Sequence, residues 1–208
     1  IHIPFCKKAC HYCDFHFSTS FKYKTQMIIS LKKEILIRKR ELNDKKIESI
    51  YFGGGTPSVL STIEINSLIQ SVYDNYLVND SVEITLEANP DDLSDEKILE
   101  LSKTRVNRLS IGVQSFFQKD LTLMNRSHTS NQALDCIKSA SKYFDNISVD
   151  LIYGIPGLDN SRWKENIEIL ISHNIFHISA YALTVEPKTV LKKYIDNGII
   201  SPIDDSQS

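Results

Sequence analysis

Three of the four cysteines lie close together on one short loop, as Cys6-Lys-Lys-Ala-Cys10-His-Tyr-Cys13. This C-x3-C-x2-C spacing gathers three soft thiolates, which favour zinc or an iron–sulfur cluster. Three thiolates leave one position of a tetrahedral zinc site, or one iron of a four-iron cluster, without a cysteine ligand. The spacing therefore predicts a metal centre with an open position, where a cofactor or substrate could bind.

A disulfide framework and a structural zinc site are the alternative interpretations of these cysteines. A disulfide framework is disfavoured, because the chain has four cysteines in 208 residues and no secretory signal segment. A structural Cys3His zinc site stays open, with His11 or His16 as the fourth ligand. Cys136 lies in a stretch with helical apolar spacing, so we expect a small buried side chain there. Reduced cysteines indicate a cytoplasmic protein.

The composition excludes several classes of protein. The chain has 24 basic and 26 acidic residues and a net charge of −2, so no basic field favours nucleic acid or an anionic membrane. No apolar run approaches the roughly 20 residues of an integral membrane segment. An apolar content of 41% suits one sizeable core. We expect a single domain over residues 1–208, and the chain begins inside its first predicted strand.

Strand-like and helix-like segments alternate six times, the pattern of βα units around a parallel sheet. The predicted strands cover residues 1–3, 47–52, 82–88, 108–113, 147–153 and 177–183. Helices are predicted near residues 28–42, 61–76, 94–103, 119–124, 130–143 and 161–172, with a last one closing at Gly198. Six units are too few for a closed eight-stranded barrel. The predicted fold class is therefore α/β, a partial (β/α)6 barrel with an open parallel sheet and helices outside.

Polar side chains collect at the carboxyl ends of these strands. Strand alternation places Glu87, Gln114 and Asp150 on the face opposite the apolar residues of their strands. The cysteine loop and a glycine-rich turn, Gly53-Gly54-Gly55-Thr56-Pro57, follow the first two strands. Because the carboxyl ends of parallel strands meet at one edge, we expect all of these groups around one mouth.

Four motifs that span the chain identify a resemblance. They are Ile1-His2-Ile3-Pro4-Phe5-Cys6 before the cysteine loop, Phe52-Gly-Gly-Gly-Thr-Pro57, Gly112-Val-Gln-Ser-Phe116 and Asp150-Leu-Ile-Tyr-Gly-Ile-Pro156. In these motifs the chain resembles the oxygen-independent coproporphyrinogen III oxidase family of the radical S-adenosylmethionine (SAM) superfamily. The resemblance implies a radical SAM core domain over residues 1–208, shortened at its N-terminus and without the family's C-terminal domain.

The resemblance also implies roles for individual residues. Cys6, Cys10 and Cys13 would ligate a [4Fe-4S] cluster, whose fourth iron would bind the amino and carboxylate groups of SAM. The SAM-binding residues that it implies are Tyr12 and Thr184 near the adenine, Gly54, Gly55 and Thr56 at the amino end with Glu87 and Arg126 nearby, and Gln114 and Asp150 at the ribose. An anionic carboxylate suits arginine, and a vicinal diol suits paired polar groups.

The family contains two functional branches, an oxidase and HemW-type heme chaperones. The oxidase carries another cysteine two residues after the third, where this chain has Phe15. The other features that resemble the chaperone branch are Glu87-Ala88-Asn89-Pro90, Ser115, His128, Gly157 and Leu183-Thr184-Val185-Glu186-Pro187. We therefore expect a chaperone that delivers heme to apoproteins and binds it through regions outside this chain. Whether it is also an enzyme is left open.

The oxidase is the alternative function. It would use one-electron reduction of SAM to a 5′-deoxyadenosyl radical to convert coproporphyrinogen propionates to vinyl groups, with loss of carbon dioxide. A structural zinc module is a more distant alternative. Either radical SAM branch implies a low-potential electron donor as a partner, and a homodimer is left open.

Overall fold

A computed structural model describes residues 1–42 and 45–202. Six strands form one sheet in the order β1-β2-β3-β4-β5-β6, and every neighbouring pair is parallel. The strands are β1 His2–Ile3, β2 Ile47–Gly54, β3 Val78–Ala88, β4 Arg108–Gln114, β5 Ile147–Tyr153 and β6 His177–Ala182. The predicted open (β/α)6 architecture is confirmed.

The helices lie between the strands in the predicted order. They are α1 Lys24–Ile37, α2 Thr62–Tyr73, α3 Asp95–Leu101, α4 Gln118–Leu123, α5 Ser130–Ala140, α6 Asn160–Ser172 and α7 Val190–Asp196. Two 3₁₀ turns, Pro57–Val59 and Pro90–Asp92, follow β2 and β3. Ser61, where the predicted helix starts, caps α2 and forms a capping box with Glu64. Within the described residues, no helix is long and apolar enough to cross a membrane.

Two boundaries differ from the sequence prediction. Helix α1 ends at Ile37, so Leu42, the last residue of the predicted helix, lies outside it and is exposed. Within α1, Ile28 is buried, and Leu31 and Ile35 are half-buried against the same core. Strand β3 begins at Val78, four residues before the predicted start, with polar residues that its pairing to β2 accommodates.

The two faces of the sheet differ in chemistry. Apolar side chains of β3, β4 and β5 are buried against the helices in one core, as alternation predicts. The inner face carries hydroxyl groups, and Arg108 donates hydrogen bonds to Thr85 Oγ1 (3.2 Å) and Ser148 Oγ (2.9 Å). A closed barrel of this type is filled by branched apolar side chains. Here the polar inner face leaves room for a cavity at the carboxyl edge.

Candidate functional site

A cavity of about 600 Å³ opens at the carboxyl edge of the sheet. It is lined by every site residue that the sequence and the resemblance indicated, namely Cys6, Cys10, Tyr12, Cys13, Gly54, Gly55, Thr56, Glu87, Gln114, Arg126, Asp150 and Thr184. These residues come from the loops after β1, β2, β4 and β6 and from the strands β2, β3, β4 and β5. The structure therefore brings the whole predicted set together.

Backbone hydrogen bonds fix the cysteine loop over this cavity. The Cys6 amide donates to Ser18 O (3.0 Å), and the His11 amide donates to Met124 O (3.0 Å). On the other side, the Leu191 amide donates to His11 O (2.8 Å). The loop is thus tied to its own end, to α4 and to α7, so three distant segments decide where the thiols lie.

A buried acidic pair adds a side-chain anchor to the same loop. Lys7 Nζ lies 2.5 Å from Asp92 Oδ1 and 3.3 Å from Asp91 Oδ2. Asp92 also accepts from Ser58 Oγ (2.7 Å), and Asp91 accepts from Ser127 Oγ (2.7 Å). These contacts connect the cysteine loop to the turns after β2 and β3 and to the residue beside Arg126.

The three thiols line the same cavity. All three are free and half-buried, and no three His, Cys, Asp or Glu side chains in residues 1–42 and 45–202 are arranged to hold a single metal ion. The His11 ring, one candidate fourth zinc ligand, has Nδ1 2.9 Å from Leu123 O. Three thiolates on one loop can each bind a different iron of a multi-iron cluster, which is the donor set that such a cluster needs.

Burial raises the pKa of the Cys6 and Cys13 thiols above the ordinary value. Thr56 Oγ1 donates to Cys6 Sγ at 3.3 Å, which opposes the rise for that thiol. Because iron binds the thiolate, loading of a cluster must release these protons.

Arg126 crosses the floor of the cavity beneath the cysteine loop. Its Nη2 donates to Asn89 Oδ1 and Gly112 O, both at 2.7 Å, and its Nη1 lies 3.4 Å from Cys10 Sγ and 3.3 Å from the Tyr12 hydroxyl. Burial opposes the charge, but Tyr12 and Cys10 keep the pKa of Arg126 above its ordinary value. Its buried Nε has no partner among the described residues. A buried cation with a free donor suits an anionic group in the cavity.

The glycine turn after β2 approaches the cysteine loop closely. A Cβ on Gly55 would lie 2.9 Å from Phe5 O and 3.0 Å from Cys6 Sγ. The neighbouring Gly54 has φ +119°, a conformation that glycine adopts readily. Its amide donates to Glu87 Oε2 at 3.2 Å. Glycine at these positions therefore lets the backbone form one wall of the cavity.

Asp150 and Gln114 lie on the adjacent strands β5 and β4 and line the same cavity. Burial raises the pKa of the Asp150 carboxyl, and the charge of Glu87 adds to this effect. Gln114 is almost fully buried and has a left-handed backbone with φ 71°. The two side chains offer a carboxylate and an amide, which between them can accept from and donate to a vicinal diol.

Two residues that contact this site were not assigned a role from the sequence. The resemblance gives Asn89 only as a feature of the chaperone branch, yet in the structure it accepts from Arg126 and donates from Nδ2 to Thr56 Oγ1 (3.4 Å). The Tyr51 hydroxyl donates to Glu87 Oε1 at 2.8 Å. Alternation in β2 places the Tyr51 side chain on the face opposite the buried Ile50 and Phe52. Its position on the same face as Glu87 could therefore have been predicted from the sequence.

His128 is a buried histidine close to the cavity. Its Nε2 lies 3.0 Å from Val113 O, while Nδ1 has no partner among the described residues. Burial, together with the positive charge of Arg126, lowers the pKa of His128 to about 4, and Asp91 offsets part of this effect. The folded protein therefore holds a neutral imidazole.

We expect His128 to make the protein less stable in acid. The unfolded chain takes up a proton near the ordinary value of 6.5, whereas the folded chain does so only near 4. The contribution of neutral His128 to the free energy of unfolding is complete above pH 6.5 and is lost as the pH falls towards 4. The loss is at most about 3 kcal/mol. Urea unfolding at several pH values should show a shallower acid loss for His128→Asn. The exposed His177→Asn is the control, and an unchanged pH slope in His128→Asn would contradict the assignment.

Comparisons with known proteins agree with this geometry. The model of the radical SAM superfamily matches residues 1–170. The heme chaperone HemW of Buchnera aphidicola subsp. Acyrthosiphon pisum is 37% identical over 197 residues, which cover 91% of this chain and 51% of the relative. HemW of Lactococcus lactis is 36% identical over 200 residues and is covered to 52%. The chain thus spans about half the length of the curated relatives that it matches.

Solved structures give the same fold. The coproporphyrinogen III oxidase HemN from Escherichia coli, a radical SAM enzyme, superposes with a TM-score of 0.86 at 25% identity, covering 99% of this chain and 48% of that one. The archaeal Elp3 of Methanocaldococcus infernus, with a TM-score of 0.66 and 18% identity over 86% of this chain and 48% of its own, shares the fold. The two sequence relatives are named heme chaperones, whereas the structural neighbour from Escherichia coli is named an oxidase.

Proposed function

Because the chain belongs to the radical SAM superfamily, we propose that its cavity holds a [4Fe-4S] cluster and SAM, and that the whole protein is a heme chaperone. The observation that carries the first part is the shared cavity, which three free thiols and nine further predicted residues line. When both groups are bound, the reduced cluster supplies one-electron chemistry towards SAM.

Each wall of the cavity would bind a different part of the two cofactors. Cys6, Cys10 and Cys13 would hold the cluster through their thiolates. Arg126, with its free buried Nε, would attract the SAM carboxylate. The other proposed SAM contacts are Gly54, Gly55, Thr56 and Glu87 at the amino group, Gln114 and Asp150 at the ribose, and Tyr12 and Thr184 at the adenine.

We expect Asp150→Ala to weaken SAM binding by about 1–3 kcal/mol, because it leaves a buried hydrogen-bonding group without its partner. Titration calorimetry on anaerobically reconstituted protein would measure this change. The absorption spectrum of the cluster should stay the same, since Asp150 lies on β5, three strands away from the end of β2, where the glycine turn contacts Cys6. Ser179→Ala removes a neighbouring hydroxyl and serves as a milder control. Unchanged affinity in Asp150→Ala would exclude the ribose assignment.

The chaperone branch is supported by the curated relatives, which are named HemW at 36–37% identity. Phe15, at the position of the oxidase's additional cysteine, lines the cavity with 74% of its side chain exposed. Heme would be bound by regions outside this chain and passed to heme-accepting apoproteins. The further partner that we propose is a low-potential electron donor. The oxidase remains the second candidate, which the TM-score of 0.86 to HemN favours.

One paired experiment separates the two branches. Full-length, cluster-loaded protein is titrated with heme, and the same preparation is assayed for conversion of coproporphyrinogen III under reducing conditions with SAM. We expect stoichiometric heme binding and no porphyrin product by chromatography, with an authentic oxidase as the positive control. Robust turnover would replace the chaperone by the oxidase. It would leave the cluster and SAM proposals in place, because both branches share them.

A further inference from the structure

Gln114 has an unusual backbone for a residue with a side chain. Its φ of 71° lies in the left-handed region, at the point where the pairing of β4 with β5 shifts register. Non-glycine residues rarely adopt this conformation, because it is strained. Gly112 leaves space for the Gln114 side chain, since a Cβ at position 112 would lie 2.9 Å from Gln114 Nε2. Neighbouring residues must therefore impose the conformation.

A chain of buried polar groups follows Gln114 directly. The Ser115 hydroxyl, which is fully buried, donates to Asp120 Oδ2 at 2.7 Å and accepts from the Phe117 amide at 3.1 Å. Asp120 is itself buried and pairs with the Arg162 guanidinium. Arg162 also donates to Gly157 O (2.8 Å) and stacks over the Phe117 ring at 4.6 Å. Ser115, Asp120 and Arg162 form what we call the relay.

The backbone on both sides of Gln114 is held as well. Val113 O is in contact with His128 Nε2 at 3.0 Å, and the Phe116 amide donates to Asn166 Oδ1 at 2.7 Å. Both side chains are buried. The backbone is thus held by hydrogen bonds at Val113, before Gln114, and at Phe116, after it. The relay holds Ser115, which lies between Gln114 and Phe116.

We propose that Ser115, Asp120 and Arg162 are positioning residues, which hold Gln114 in its strained conformation and so keep its amide in the cavity. The consequence for SAM rests on the proposed function. Without the relay, the segment relaxes to an ordinary backbone conformation, and the amide leaves the cavity wall. None of the three relay residues lines the cavity, so their effect on a ligand has to pass through Gln114.

A double-mutant cycle tests this coupling in cluster-loaded protein with SAM as the titrant. We expect Ser115→Ala and Asp120→Asn each to lower SAM affinity roughly 5- to 100-fold, as release of a strained conformation implies. In a Gln114→Ala background the same changes should have less than about a twofold effect, because the residue they act through is gone. Arg162→Lys should restore part of the affinity that Arg162→Met loses. Ser139→Ala, another buried serine outside the relay, should leave affinity and iron content unchanged.

A second cycle uses thermal unfolding and does not depend on SAM. Gln114→Gly should unfold a few degrees above Gln114→Ala, because glycine adopts a positive φ without strain. Asp120→Asn, or Ser115→Ala if that variant folds poorly, should reduce this difference. The proposed role of the relay would be wrong if the relay variants lost as much SAM affinity in the Gln114→Ala background as in the unsubstituted protein. It would also be wrong if Asp120→Asn left the difference in unfolding temperature between Gln114→Gly and Gln114→Ala unchanged. If the unsubstituted protein fails to bind SAM, the proposed function is wrong and the unfolding cycle still decides the relay.

Discussion

Serine in place of Cys6, Cys10 or Cys13 is expected to abolish the intact cluster in each case. The three thiols line one cavity on one loop, so no two of them can replace the third. The serine hydroxyl is a harder and much less acidic ligand than a thiol, and it does not offer iron an equivalent anion. Anaerobic reconstitution followed by iron and sulfide analysis should give about four of each in the unsubstituted protein and far less in every variant.

Cys136→Ser is the matched control, since it makes the same chemical change elsewhere. Cys136 is buried in α5 as predicted, and burial raises the pKa of its thiol to about 12. It does not line the cavity. This variant should keep its cluster and lose only stability, by about 1–3 kcal/mol for a buried hydroxyl. Loss of the cluster from Cys136→Ser, or stoichiometric zinc without sulfide in the unsubstituted protein, would contradict the cluster assignment.

The sheet could be predicted from the sequence because each of its strands is marked locally. Alternation in residues 147–153 gave β5 its observed bounds, and Ser61 with Glu64 marked the start of α2. Parallel pairing then followed from the helices between strands. The end of α1 could not be predicted, because Leu42 extends the apolar spacing although its side chain is exposed in the structure.

The members of the site could also be predicted, because parallel strands place their carboxyl ends together. Glu87, Gln114 and Asp150 reached one cavity for this reason. The contacts among them depend on tertiary structure. Nothing near Lys7 in the sequence indicates that its partners are Asp91 and Asp92, more than 80 positions away. Such ion pairs arise from the meeting of loops, which no local pattern encodes.

Ser115 and His128 show how a motif and a structure complement one another. The resemblance marked both as branch features without giving either a task. In the structure they hold the two backbone positions that flank Gln114, one through Asp120 and one through Val113 O. The strained φ of Gln114 is visible only in three dimensions. A glutamine at the end of a strand gives no sequence signal for a left-handed conformation, because glycine is the residue that usually carries it.

Gly55→Ala is expected to damage cluster and SAM binding together. The Gly55 amide donates to Ile3 O at 2.9 Å, which holds the glycine turn against the start of the cysteine loop. A Cβ would lie 2.9 Å from Phe5 O and 3.0 Å from both Phe5 N and Cys6 Sγ. Two of these atoms belong to the backbone, so the whole loop has to move. Overpacking of this kind costs about 1–3 kcal/mol.

Gly53→Ala separates this steric effect from a general loss of glycine. The atoms nearest to its Cβ would all be side-chain atoms, 3.0 Å away in Tyr51 and 3.2 Å away in Glu87 Oε1. Tyr51 is half-exposed, so its ring can turn away at the cost of its hydrogen bond to Glu87, without movement of the backbone. Iron content after reconstitution and SAM affinity by calorimetry should both fall in Gly55→Ala, while Gly53→Ala retains its iron. A Gly55→Ala protein with full iron and unchanged SAM affinity would show that close approach of the two loops is not what positions Cys6. Loss of SAM affinity with full iron would show that Gly55 is needed for SAM binding alone, because Cys6 would then still bind iron after the loop had moved.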